Sequence, residues 1–149
     1  MVDLDEVLTR TLEKARPHTR KVYGQNPLTG REILEMANTR AMMSLASTIG
    51  LNGRPHMSPM DMVGVEGRLF VGADESTAHY RNLQRNPAVA MMLLDAWNRQ
   101  AIIEGTVQFL DVKSRIAWKV LEAEKKKSGW TTEAVGELRP EKVFSWRKK

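Results

Sequence analysis

Met43-Ser44-Leu45-Ala46-Ser47-Thr48-Ile49-Gly50-Leu51-Asn52-Gly53-Arg54-Pro55-His56-Met57-Ser58-Pro59-Met60 is the stretch that decides the fold of this chain. From Arg40 onward, Ala41, Met43 and Leu45 alternate with smaller or more polar neighbours, as in a strand whose two faces differ. Asn52-Gly53 is a strong hairpin signal, read as a two-residue turn with positive φ at both central positions. The return strand is expected from Pro55 to Val65, with Pro59 implying an edge position or a bulge.

Downstream the texture stays β. Glu66-Gly67 marks a second turn, Arg68 to Ala73 a third strand and Ala88 to Asp95 a fourth, nearly all apolar. In the fifth, Ile103, Val107 and Phe109 share one face while Glu104, Thr106 and Gln108 share the other. Ser76 to Asn86 is expected to be helical and is stopped by Pro87. Asp111 is expected to cap a further helix with Val112, Ile116, Val120 and Ala123 as its buried stripe. That helix runs into a solvated Lys125-Lys126-Lys127 end and breaks at Ser128-Gly129. Pro140 to Trp146 is a last short strand. Several short strands at turn spacing predict a small barrel.

Upstream, Leu4, Val7, Leu8, Leu12 and Ala15 recur at helical spacing after Asp3, and Pro17 ends that helix. Thr29 with Glu32 is a capping box for a short helix to about Asn38. The domain reading is therefore a helical extension over 1–39 and a barrel over 40–149.

The composition narrows the chemistry. The 149 residues carry a net charge of +5, and the segment from Arg10 to Arg31 alone matches that excess. Such an arm can meet a polyanion, but a solvated helix face running into a surface loop is the expected reading, and with no aromatic series among the cations single-strand stacking platforms are not suggested. There is no cysteine, which excludes disulfides, thiol nucleophiles and thiolate-bound metals. The three histidines are scattered, so no built-in metal site is expected. The acidic start Asp3-Leu4-Asp5-Glu6 lacks the charge of a signal peptide, and no apolar run is long enough for a membrane span; a cytoplasmic protein is expected. Phosphate-binding, dinucleotide-binding and serine-hydrolase motifs are absent, and no His or carboxylate stands out as an acid or base. The seven methionines from Met42 to Met92 and the four tryptophans are expected mainly in the core, with an interface as the other place for tryptophan.

Three segments carry more. They are Gly53 to Met60, the run Ser76-Thr77-Ala78-His79-Tyr80-Arg81-Asn82-Leu83-Gln84-Arg85-Asn86-Pro87-Ala88-Val89-Ala90, and Arg99-Gln100-Ala101-Ile102-Ile103-Glu104-Gly105. In this order and separation they resemble the pyridoxamine 5′-phosphate oxidase-like, FMN-binding split-barrel family. The resemblance implies an α+β fold that is mainly β: a split β-barrel of about six antiparallel strands with flanking helices. It implies FMN as cofactor, oxidation–reduction of a small-molecule substrate, and a homodimer with the flavin site at the subunit interface.

For the ring it implies the strand His56, Met57, Ser58, Pro59 and Met60. For the phosphate it implies the helix start at Ser76 and Thr77, with His79 and, in the same helix, Asn82. Gln100 would meet the ring's polar edge, Arg99 would offset charge on the reduced ring, and Trp146 would reach the flavin of a partner subunit. Two departures shape the expectation. Ala78-His79 stands where family members often carry Arg-Lys, which leaves a deazaflavin as the alternative cofactor. The end Trp146-Arg147-Lys148-Lys149 lacks the Arg-x-His of the true oxidases, so pyridoxamine phosphate is not the expected substrate. A non-catalytic split barrel binding a nucleotide or nucleic acid stays as the third reading.

Overall fold

In the computed structural model, which describes residues 3–149, the chain starts with three helices. Helix α1 (Leu4–Lys14) is capped by Asp3, whose carboxylate accepts from the Asp5 N–H at 2.8 Å. Pro17 does end α1, but it also opens a second short helix, α2 (Pro17–Tyr23), since a first-turn proline loses no hydrogen bond. Arg20, from the basic segment, donates to the carbonyls of Leu12, Glu13 and Ala15 and so closes the C-terminal end of α1. Helix α3 (Gly30–Ala37) carries the expected capping box between Thr29 and Glu32.

The strands are β1 (Met43–Ile49), β2 (Pro55–Pro59), β3 (Met62–Val65), β4 (Arg68–Ala73), β5 (Ala88–Asp95), β6 (Arg99–Phe109) and β7 (Ala134–Arg147). They form one antiparallel seven-stranded sheet in the order β2-β1-β5-β6-β7-β4-β3. The seventh strand comes from dividing the expected Pro55–Val65 strand. After Pro59 the chain leaves β1, and from Met62 it pairs with β4 at the opposite edge of the sheet. Met60 N–H still donates to Ser44 O, while Asp61 O already accepts from Gly72 N–H. Two linking residues cannot span a flat seven-stranded sheet at nearly 5 Å per strand, so the sheet must curl until its edges meet. This seam makes the half-barrel.

The first turn differs from its reading, and the second is a turn as expected. The β1–β2 loop has positive φ only at Gly53 (74°), with Gly53 N–H donating to Gly50 O. It is a three-residue loop, not a two-residue one. Glu66 (51°) and Gly67 (75°) form the two-residue turn with both φ positive.

Helix α4 (Ala78–Arg85) is capped by Thr77 and packs on β1 and β2. Helix α5 (Arg115–Ser128) is capped by Ser114, not Asp111; Asp111 instead shapes the preceding turn through the Lys113 N–H. Val112 is therefore outside the helix and 52% exposed, and the buried face of α5 is Ala117, Val120, Glu124 and Ser128. Strand β7 is twice as long as expected, because its first half pairs with β4 and its whole length with β6 across a bulge near Gly105.

The core joins both parts of the chain. Leu4, Val7, Leu8, Ile33 and Met36 pack with Met91, Leu93, Ile103 and Val143 of the sheet. The helical extension also covers the free edge of β7: Val143 N–H donates to Thr11 Oγ1 and Arg147 N–H to Asn26 O. Met60, Met62 and Met91 are buried as expected, but Met43 and Met57 are exposed. The tryptophans are not core residues: Trp97, Trp118 and Trp130 are largely exposed and Trp146 is half-buried.

Candidate functional site

The barrel seam opens into a cleft of about 420 Å³, within the range of small-ligand sites. One wall is the point where β2 hands over to β3, with Pro59, Met60 and Asp61, and beside it Ser44 of β1. The end of β4 closes the floor through Gly72 and Ala73. The start of α4 adds Thr77 and His79, and the far wall is the end of α5 with the segment after it: Lys127, Ser128, Trp130 and Thr132.

The α4 end is built for an anion. Thr77 Oγ1 accepts from Tyr80 N–H and donates to Asp74 O, which fixes the cap. The first-turn N–H groups of Ala78 and His79 have no intrahelical acceptor by position and carry the positive end of the helix dipole. His79 Nδ1 is hydrogen-bonded to Ser58 Oγ at 3.0 Å. Burial holds its pKa below the ordinary histidine value and the neighbouring His56 adds to this, against an opposing pull from Asp74. Two buried polar atoms lack any partner at this place, Ser44 Oγ and His56 Nδ1. Unpaired buried groups cost stability, so their presence beside the cleft fits a site completed by a polar ligand.

The opposite wall holds what sequence reading missed. Lys127, expected in a solvated helix end, has only 5% of its side chain exposed. Its Nζ donates to Asp61 Oδ1 and to Met62 O, both at 2.7 Å. Glu124 is fully buried behind Gly72, where its carboxylate accepts from Thr132 Oγ1 at 2.9 and 3.0 Å. Burial raises its pKa, the Thr132 hydrogen bonds oppose this, and the charges of Asp61 and Asp74 raise it further.

The residues singled out from sequence fall into two groups. Pro59, Met60, Thr77 and His79 line the cleft, and Ser58 and His56 stand directly behind His79. Ser76 is exposed just before the cap and gives its carbonyl to Arg81. Asn82 is buried and bonds Thr48 and Arg85, so it anchors α4. Met57 is 69% exposed on the outer face of the sheet.

Arg99, Gln100 and Trp146 are elsewhere. Arg99 gives Nε and one terminal nitrogen to Asp95 Oδ2 in the β5–β6 hairpin. Gln100 pairs across with Trp146 on β7 and with Leu94 on β5, which in turn faces Met43. On this outer face Met43, Leu45, Met57, Pro59, Met92, Leu94 and Ile102 form a broad apolar surface. Among the described residues there is no metal-binding cluster, and no helix is long and apolar enough to cross a membrane.

Residues 29–147 match the family model described as pyridoxamine 5′-phosphate oxidase, and the chain belongs to that family. Solved structures agree on the fold. The conserved hypothetical protein Rv2991 from Mycobacterium tuberculosis superposes with a TM-score of 0.68 at 18% identity, covering 85% of this chain and 89% of that one. The heme storage protein HutZ from Vibrio cholerae gives 0.63 at 21% identity over 76% and 92% of the two chains. An F420 reductase gives 0.56 at 21% over 73% and 94%. At such identities the likeness speaks for the split barrel alone. No curated protein matches the chain.

Proposed function

We propose that the seam cleft binds FMN and that the protein is a flavin-dependent oxidoreductase of a small, still unnamed substrate, working in the cytoplasm. One observation carries this reading. Ser44, with its buried unpartnered Oγ, and Thr77 and His79 at the N-terminal end of α4 line one cavity of about 420 Å³ that the Pro59–Met60 segment borders. The phosphate would lie at Thr77 and His79 on the helix N-terminus, and the ring along Pro59 and Met60. FMN supplies the hydride chemistry when bound; the protein positions it and tunes its electronics. In this reading residues 40–149 are the cofactor-binding barrel and 1–39 an extension that covers its edge.

The same reading makes the protein a homodimer. Gln100 and Trp146 lie on the outer sheet face, outside the cleft of their own chain, next to an apolar surface that a second copy would cover. Across a two-fold axis they would meet the flavin of the partner subunit.

A structural neighbour that is an F420 reductase, together with a histidine rather than a lysine at the phosphate end, supports a deazaflavin as the second reading. The test is the visible spectrum of freshly purified protein, identification of any released chromophore by mass, and titration of colourless protein with FMN and with a deazaflavin. FMN bound at about one per chain supports the first reading. A clear preference for the deazaflavin replaces it, and uptake of neither removes both.

A further inference from the structure

Lys127 lines the cleft together with Arg40 and His79 and is the lysine of that wall. Arg40 is exposed at the mouth and His79 is held toward its neutral form by burial. Lys127 is enclosed, with its Nζ fixed by Asp61 Oδ1 and Met62 O. An ammonium has three N–H donors and these acceptors use two, which leaves one for the cavity. Asp61 is itself held from behind, since Oδ1 accepts from Met62 N–H at 3.0 Å and Oδ2 from Ser128 Oγ at 3.4 Å. A buried ion pair of this kind adds little stability over apolar packing, so its position at a ligand cleft calls for a role.

We propose that Lys127 is the cation that faces the flavin ring in the cleft and raises its reduction potential, with Asp61 as the opposing charge that sets how far. The inference rests on the FMN reading above. Two-electron reduction adds negative charge to the ring, and a fixed ammonium in a poorly screened cavity stabilises that charge more than one in water. Arg99, the candidate offered by the sequence, is paired with Asp95 and lies outside the cleft of its own chain, whereas Lys127 lines it. Glu124 does not cancel Lys127, because burial favours its neutral form.

The experiment is a reference-dye titration of the midpoint potential of the FMN-loaded full chain at fixed pH, with dithionite as reductant. Lys127→Gln is expected to weaken the preference for reduced FMN about tenfold, which is about 30 mV downward for a two-electron couple. Asp61→Asn is expected to shift the potential upward, and Lys127→Arg to stay near the parent value. Opposite signs support the assignment, because general loosening of the cleft would move both variants the same way. Unchanged potentials, or shifts of one sign, overturn it. If Lys127→Gln fails to fold because it strands Asp61, an upward shift in Asp61→Asn and a lower potential in the Lys127→Gln/Asp61→Asn double variant than in Asp61→Asn support the assignment, and any other pattern overturns it. A parent protein that takes up no FMN sinks the flavin reading and this inference together; FMN uptake with unmoved potentials sinks this inference alone.

Discussion

Asn82 Nδ2 donates to Thr48 Oγ1 at 3.1 Å, and the two residues are 5% and 1% exposed. This buried polar contact ties α4 to β1, as the His79–Ser58 bond ties it to β2, and so helps to set where Thr77 and His79 meet the cleft. Asn82→Ala leaves the Thr48 hydroxyl buried without this partner and frees Arg85. A loss of about 1–3 kcal/mol is expected in urea unfolding. Weaker FMN binding should accompany it. Thr48→Val in the same background should recover part of the stability but not the affinity, and recovery of both would show that α4 needs no anchor here.

The lowered pKa of His79 has two consequences of opposite sign. In the free protein the unfolded chain takes up a proton near the ordinary value of 6.5 before the folded one does, so stability falls as pH drops through that region. A bound phosphate dianion reverses the preference, because it favours the charged ring. FMN should therefore bind more tightly as pH falls from about 8 toward 6, where the phosphate itself begins to protonate. His79→Lys should bind with a flat profile over that range. A parent affinity that does not vary with pH would remove His79 from the phosphate site.

Glu124 predicts a pH effect on stability alone. Its folded pKa is raised, so the folded chain keeps the proton where the unfolded chain has lost it. The group's contribution is then complete below its ordinary value of 4.5 and declines as pH rises toward the folded value. Glu124→Gln should show a smaller fall in melting temperature between pH 5 and about 8 than the parent. Parallel curves for the two proteins would contradict the assignment.

Glu137 runs the other way. Arg68 reaches it with two hydrogen bonds, Nε to Oε2 at 2.9 Å and a terminal nitrogen to Oε1 at 2.6 Å, across the β4–β7 pair. The Arg68 hydrogen bonds hold its carboxyl below the usual range, burial opposes them, and the Arg68 charge adds to the lowering. Its contribution is present above 4.5 and lost as pH falls through the lower folded value. Glu137→Gln should cost roughly 1 kcal/mol near neutral pH. It should cost little in strong acid, which paired denaturation curves at pH 7 and pH 3 would reveal.

What could be read from the sequence was what is local. The Thr29–Glu32 box, the helix start near Thr77 and the alternation along β6 each depend on residues a few positions apart, and all are present in the structure. The division at Met60–Asp61 was not legible, because Pro55–Val65 is one extended run and only pairing with distant strands splits it. Lys127 was hidden for the same reason: its partner Asp61 is 66 positions away, and a lysine run at a helix end ordinarily faces water. Gln100 and Trp146 were expected near a flavin from the resemblance, but their cross-strand pairing emerges only from the register of β6 and β7.

The position of β7 bears on how the chain is made. It is the last strand in sequence, yet it lies between β6 and β4 and donates through Val143 N–H to Thr11 of α1. Until it leaves the ribosome, four strands on one side and two on the other have no common partner, and α1 to α3 lack part of the surface they cover. Each half then presents an open edge at which a second nascent chain can add. Closure of the sheet therefore waits for β7, and the chain is most exposed to misassembly until Ala134–Arg147 has emerged and paired.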